Sequence, residues 1–304
     1  MNSLFSPFHR NCRTIYSPHY EGGAGGGSDY KIIEQTIIGK AGPLRCEDGA
    51  VATDDFVAVV DGSTNKSSMR MHPDMSNGQY CMTLVKEHIS RMPPETDCAT
   101  FCQGVTRAVR AVYERAGTDM NLLTATPTER MAASTAVYSR ARQEVWLVGD
   151  CQCLIDGVLY DNPKPYEEMI AEMRSAYIRL QLSQGQRVED FQEHDAGRDF
   201  ILPVLIDSCR WQNQTFAVID GFDIPLDRVR VIDVSGARQL VLATDGYPEL
   251  LPTLADSEAA LAQQLADDPL CIYRHKATKG MMRGRLSFDD RCYIRMVAEG
   301  ASQP

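Results

Sequence analysis

The chain of 304 residues predicts an α+β fold in which sheets pack together and are covered by helices. Three observations carry this expectation. Short apolar runs rich in β-branched residues recur along the chain, as in Phe56–Val60 and Leu240–Ala243. Segments with helical periodicity fall between groups of these runs. Several of the runs begin or end abruptly at aspartate, so their ends should share a rim.

Residues 1–29 carry little periodicity and end in GGAGGGS, which reads as a flexible N-terminal arm. No Gly-Lys-Ser/Thr closes that glycine run, which excludes a phosphate loop. Tyr30–Ile38 reads as the first strand, Pro43–Gly49 as a loop holding the acidic pair Glu47-Asp48, and Phe56–Val60 as a strand covered on both faces. Gln79–Met92 and Asp97–Ala116 read as helices. The second places Phe101, Val105, Ala108, Val109 and Val112 on one face, with Asp97 as its N-cap. Ala132–Arg140, Glu144–Val148 and Gln152–Ile155 follow as strands, and Asp156-Gly157 turns into Val158–Tyr160. Tyr166–Gln184 reads as a helix with Met169, Ile170, Met173, Tyr177 and Leu180 inward. Residues 185–230 show little order beyond a short strand at Phe216–Ile219, with another at Val229–Ile232. Leu240–Ala243 is a buried strand, Ser257–Ala266 a helix, 270–286 irregular and basic, and Arg291–Val297 the last strand.

Composition narrows the function. With 43% hydrophobic and 24% charged residues the chain can bury a large core. A net charge of −10 argues against a nucleic-acid or anionic-membrane partner. No apolar run approaches the roughly 18 residues of a membrane span, and the start lacks the roughly 7–15-residue apolar core of a secretory leader. Ten cysteines without a leader read as reduced, buried thiols, and the expected compartment is the cytoplasm.

The strand-end aspartates are Asp61 in VAVVDG, Asp150 in VWLVGD, Asp245 in LVLATDG, and Asp289 with Asp290 in FDDRCYI. A carboxylate at the end of a buried strand is costly unless something offsets its charge. Five Asp-Gly pairs occur, and most should be turns. Asp61 stands apart because a helix-like segment follows it. Carboxylates gathered on one rim raise one another's pKa unless cations sit between them. Oxygen ligands without histidine suit Mg²⁺ or Mn²⁺ rather than zinc.

In order, Glu47-Asp48, VVDG at 59–62, STA at 134–136, VGD at 148–150, ATDG at 243–246 and DDRCYI at 289–294 resemble the protein phosphatase 2C family of metal-dependent serine/threonine phosphatases. The resemblance implies one domain over 30–304, a four-layer α-β-β-α sandwich of two antiparallel sheets with helix pairs outside, and a variable insert around 161–235. It implies a site with two Mn²⁺ or Mg²⁺ ions and a weaker third. Asp61 would bridge the ions and Gly62 would offer its carbonyl. Asp245 and Asp289 would complete the first ion's ligands. Glu47 and Asp48 would serve the second ion, and Asp150 the third. Asp61, Asp245 and Asp289 are then the catalytic set, and a bridging hydroxide the nucleophile on a phosphoprotein.

Departures from the family pattern are specific. Gly62-Ser63-Thr64-Asn65 stands where a histidine and two glycines are usual, and Pro43 stands at the phosphate-binding arginine. Arg45 or Lys66 is expected to replace that arginine. The alternatives to a protein phosphatase are a silent binding module on the same fold and a phosphatase of small phosphoesters.

Overall fold

The computed structural model describes residues 30–299 except 65, 67 and 68. The expected arm, 1–29, lies outside the described residues. In chain order the strands are β1 (Tyr30–Ile38), β2 (Asp48–Ala52), β3 (Phe56–Gly62), β4 (Ala133–Ser139), β5 (Glu144–Val148), β6 (Gln152–Ile155), β7 (Val158–Tyr160), β8 (Arg230–Asp233), β9 (Gln239–Ala243) and β10 (Arg291–Ala298). The helices are α1 (Asn77–Ile89), α2 (Cys98–Arg115), α3 (Met120–Ala125), α4 (Glu167–Ser183), α5 (Val188–Glu193), α6 (Ala196–Ser208) and α7 (Leu254–Asp267).

Two antiparallel five-stranded sheets form, ordered β1-β10-β9-β6-β7 and β2-β3-β4-β5-β8. Strict alternation along β3 explains why both of its faces are covered. Val57 and Val59 point into the core between the sheets, where they meet Leu240, Leu242 and Ile294. Phe56, Ala58 and Val60 point the other way, onto Val85 of α1 and Phe101 and Val105 of α2. The Asp97 carboxylate caps α2 by accepting from the Thr100 N–H at 2.7 Å. On the outer face of the other sheet, Val241 and Tyr293 pack with Tyr247, Leu250 and Leu254. At the β6–β7 turn both Asp156 and Gly157 have positive φ, +46° and +85°, the backbone of a type I′ hairpin. The nine described cysteines are free and buried, and no described helix is long and apolar enough to cross a membrane.

Three expectations need correction. Asp48 does not lie in a loop but opens β2, which pairs with β3. Within 185–230, α5 and α6 form, and Phe216–Ile219 makes isolated bridges, Gln212 with Phe216 and Ala133 with Ile219, rather than the expected strand. In α4, Met169 and Leu180 are each 55% exposed, while Arg174, Ser175 and Ile178 are buried. The guanidinium of Arg174 turns the helix, because it bonds the Asp195 carboxylate and the carbonyls of Leu270 and Ala277. Helices α4 and α6 pack on each other through Ile170, Ile201 and Leu205. Ile178 and Phe191 pack on Leu270 and Ile272.

Candidate functional site

Pairing places the acids. Asp48 on β2 stands opposite Asp61 on β3, and Asp61 stands opposite Ser134 on β4. Gly62 and Gly78 let the start of α1 cross the end of β3 at close range. A Cβ on Gly62 would lie 2.2 Å from the Gly78 carbonyl oxygen, a spacing no other residue accommodates. The Gly62 N–H donates to the Glu47 carbonyl at 2.9 Å. From the other sheet, Asp245 follows β9, and Asp289 and Asp290 precede β10. The sheets are joined at this rim by Thr244, whose hydroxyl donates to Asp48 Oδ2 at 2.6 Å and accepts the Cys292 N–H at 2.8 Å.

A cleft opens on this rim. Asp61, Asp245 and Asp289 line its floor, with Ser63, Thr64 and Ser134 beside them. Helices α4 and α6 form the opposite wall through Ile170 and Leu205. Among the described residues no histidine lines it. The acids divide by their surroundings. Asp61 and Asp245 accept no hydrogen bond on their carboxylates from any described residue. Burial, then neighbouring carboxylates, push both well above the usual carboxylate range. Asp48 is raised in the same direction by burial and by Asp289, Asp290 and Asp245, although the Thr244 bond opposes this.

The remaining acids have partners. Burial would raise Asp289, but Lys279 and Lys40 outweigh it and hold the group at about 2. Lys40 Nζ lies 3.0 Å from Asp289 Oδ1 and 3.1 Å from Asp290 Oδ2, and Lys279 pairs with Asp289 Oδ2. Asp150 is buried, yet the paired ammonium of Lys164 and the hydroxyl of Ser134 keep it below the usual range. The Glu47 carboxylate accepts from the Ser76 hydroxyl at 2.6 Å and the Thr64 hydroxyl at 3.0 Å. Asp290 accepts the N–H groups of Lys40 at 2.7 Å and Glu47 at 3.1 Å, so it ties β10 to the loop before β2.

Seven expected residues, Glu47, Asp48, Asp61, Gly62, Asp150, Asp245 and Asp289, thus gather at one rim, of which Asp61, Asp245 and Asp289 face the cleft. Lys66 lines it too. Arg45 does not: it sits exposed at the end of the single 3-10 turn Pro43–Arg45, before the chain turns inward at Cys46. Sequence reasoning missed Lys40, Lys164, Arg198, Lys279 and Glu167. Carboxylate oxygens of Asp150, Glu167 and Asp245 lie within 4.8 Å of one another, and Glu167 belongs to the first turn of α4. The only signal for any of these was the basic character of 270–286, which holds Lys279.

The donor set fits a hard divalent cation. Two carboxylates lack partners among the described residues, several more surround them, and the carboxylates offer oxygen alone. Asp61, Asp245 and Asp289, with Asp150 and Glu167, would hold such an ion.

Fold and site together define an α+β two-sheet sandwich with an acid-floored, cation-walled cleft on its rim. No protein-family model matches the chain, and no curated protein matches its sequence. Solved structures similar to it include bacterial serine/threonine phosphatases. The serine/threonine phosphatase PstP/Ppp of Mycobacterium tuberculosis is 14% identical, with 89% of this chain and 99% of that chain covered at a TM-score of 0.45. Stp1 of Staphylococcus aureus is 13% identical, with 94% and 100% covered at 0.42. PppA of Pseudomonas aeruginosa, a regulatory component of its T6SS, is 15% identical, with 90% and 99% covered at 0.44.

Proposed function

We propose that the protein is a metal-dependent phosphatase acting on phosphoserine and phosphothreonine in proteins, with Mn²⁺ or Mg²⁺ at the rim. One observation carries this reading: partnerless carboxylates of Asp61 and Asp245 on a cleft floor that faces a wall of cations. Acids of that kind call for divalent ions, and the cations call for an anionic substrate.

A bound divalent ion supplies Lewis acidity, which polarises a phosphoryl oxygen and makes water a stronger acid. Asp61 lies among Asp48, Asp150 and Asp289 and would serve as the residue shared if two ions bind. The apolar wall at Ile170 and Leu205 limits water around the incoming phosphate. With Ser63 where the resemblance expects histidine, the leaving serine or threonine oxygen takes its proton from solvent.

A second reading has its own support. Both oxygens of Asp289 are paired with ammonium groups, Lys40 and Lys279, an arrangement that suits a silent binding module on the same fold. Phosphate release from an aryl phosphate and a phosphothreonine peptide, titrated with Mn²⁺ at fixed enzyme, separates the two. The phosphatase reading expects saturable, metal-dependent release from the peptide. Release from neither substrate while Mn²⁺ binds would favour the silent module.

A further inference from the structure

Four cations line the cleft beside four acids, but the cations differ in their partners. Lys164 and Lys279 are paired with Asp150 and Asp289. Lys66 and Arg198 form no ion pair among the described residues, and Lys66 lies among the cations Lys164, Arg198 and Lys279. Like charges crowded in a partly buried cleft are unfavourable until an anion enters.

Arg198 is held in place by a built support. Asp195 caps α6 by accepting the Arg198 N–H at 2.8 Å, takes the buried Arg174 guanidinium at 2.7 Å, and accepts the Gly280 N–H at 3.3 Å. The Arg198 guanidinium in turn donates to the Thr278 carbonyl at 2.9 Å. These bonds join α4, α6 and the 278–280 segment into one support for both Arg198 and Lys279. Its rigidity favours recognition over a chance surface charge.

The wall also holds an unanswered acceptor. Gln212 lines the cleft, and its buried Oε1 has no hydrogen-bond partner among the described residues. A buried acceptor of this kind is costly until a donor reaches it. A shallower second cleft adjoins the first and shares Lys66 and Gln212 with it, continuing to Thr128 and Arg130. The surface past the acid floor is therefore extended, with Lys66 as its unpaired cation and Gln212 as an acceptor suited to a main-chain N–H, while Arg130 is paired with Asp220.

We propose that this cleft selects phosphopeptides with a second anionic group beside the phosphorylated residue, held by Lys66 and Arg198, while Gln212 accepts a main-chain N–H. An acidic side chain and a second phosphate offer the same chemistry. The inference rests on the phosphatase reading only in placing the first phosphate at the acid floor.

Fluorescence anisotropy of the full chain in Mn²⁺ tests it, with labelled phosphothreonine peptides flanked by Asp, by phosphoserine or by Asn. The Asp and phosphoserine peptides should each bind at least about tenfold tighter than the Asn peptide, the effect of one charge-assisted contact. Arg198→Met should bring those ratios toward one, and Arg198→Lys should keep much of the preference. Lys66→Met provides the same test from a residue outside the helices, should Arg198→Met fail to fold. Binding is read whether or not phosphate is released, so lost hydrolysis with the preference intact counts against the phosphatase reading alone. Equal binding of the three peptides by the wild-type chain overturns the proposal. So does tight binding of a small bisphosphorylated sugar without any difference among the peptides, which assigns the cations to a small molecule.

Discussion

The carboxylates of Asp61 and Asp245 set the residue-scale chemistry. Burial and mutual repulsion raise both, so over a window opening near the ordinary value of about 4 the folded chain binds more protons than the unfolded one. These two groups then lower stability as pH rises through that window whenever divalent ions are chelated, against the opposite slope of His88 and His275, whose imidazoles burial holds below their usual value. Thermal melts in chelator from about pH 4.5 to 7.5 should show this slope, and Asp245→Asn should flatten it while raising the melting temperature at the upper end. An Asp245→Asn chain with the same slope in chelator as the wild type would reverse the assignment. The neighbouring pair at β10 behaves differently. Asp289 faces the cleft, whereas Asp290 accepts two main-chain N–H groups and is almost fully buried. Asp290→Asn replaces one accepting oxygen by a donor, so it should cost about 1–3 kcal/mol in urea unfolding. An unchanged midpoint would show that those bonds contribute nothing. Asp61, Asp150, Asp245 and Asp289 were legible because each adjoins an apolar strand run. Lys40, Lys164 and Arg198 were not, since they lie in loops or at a helix start, where no periodicity singles out one cation from the surface.

At the scale of elements, the buried Arg174–Asp195 pair fastens α4 and α6 to the segment bearing Lys279. Arg174→Met leaves Asp195 without its countercharge in the interior, a change that should cost about 3–5 kcal/mol. Urea unfolding measures the loss, and limited proteolysis should cut first between α4 and α6 while the sheets stay protected. Simultaneous cutting throughout the chain would mean that these helices and the sandwich are one cooperative unit. The same arginine explains why α4 was read with the wrong face inward: a charged residue at the core position breaks the apolar stripe. Helix α6 escaped notice because Pro203 interrupts it and because Phe200, Leu202 and Ile206, partly exposed, blur its inner face. Strand β2 was hidden by its small residues, Gly49, Ala50 and Ala52, which give almost no apolar signal. The strands of the two sheets were readable because residues such as Val57–Val60 are apolar on both faces.

Across the whole molecule, two sheets bring strand ends far apart in sequence onto one rim, and the cleft between that rim and α4–α6 combines acids with cations. The central claim is that these acids hold a divalent ion at Asp61 and Asp245. A crystal structure grown in Mn²⁺, with anomalous data collected at the manganese edge, tests it most directly. A divalent ion held at this rim gives an anomalous peak in contact with the carboxylate oxygens of both Asp61 and Asp245. A cleft with no peak at saturating Mn²⁺, its carboxylates paired with Lys164 and Lys279 alone, would contradict it.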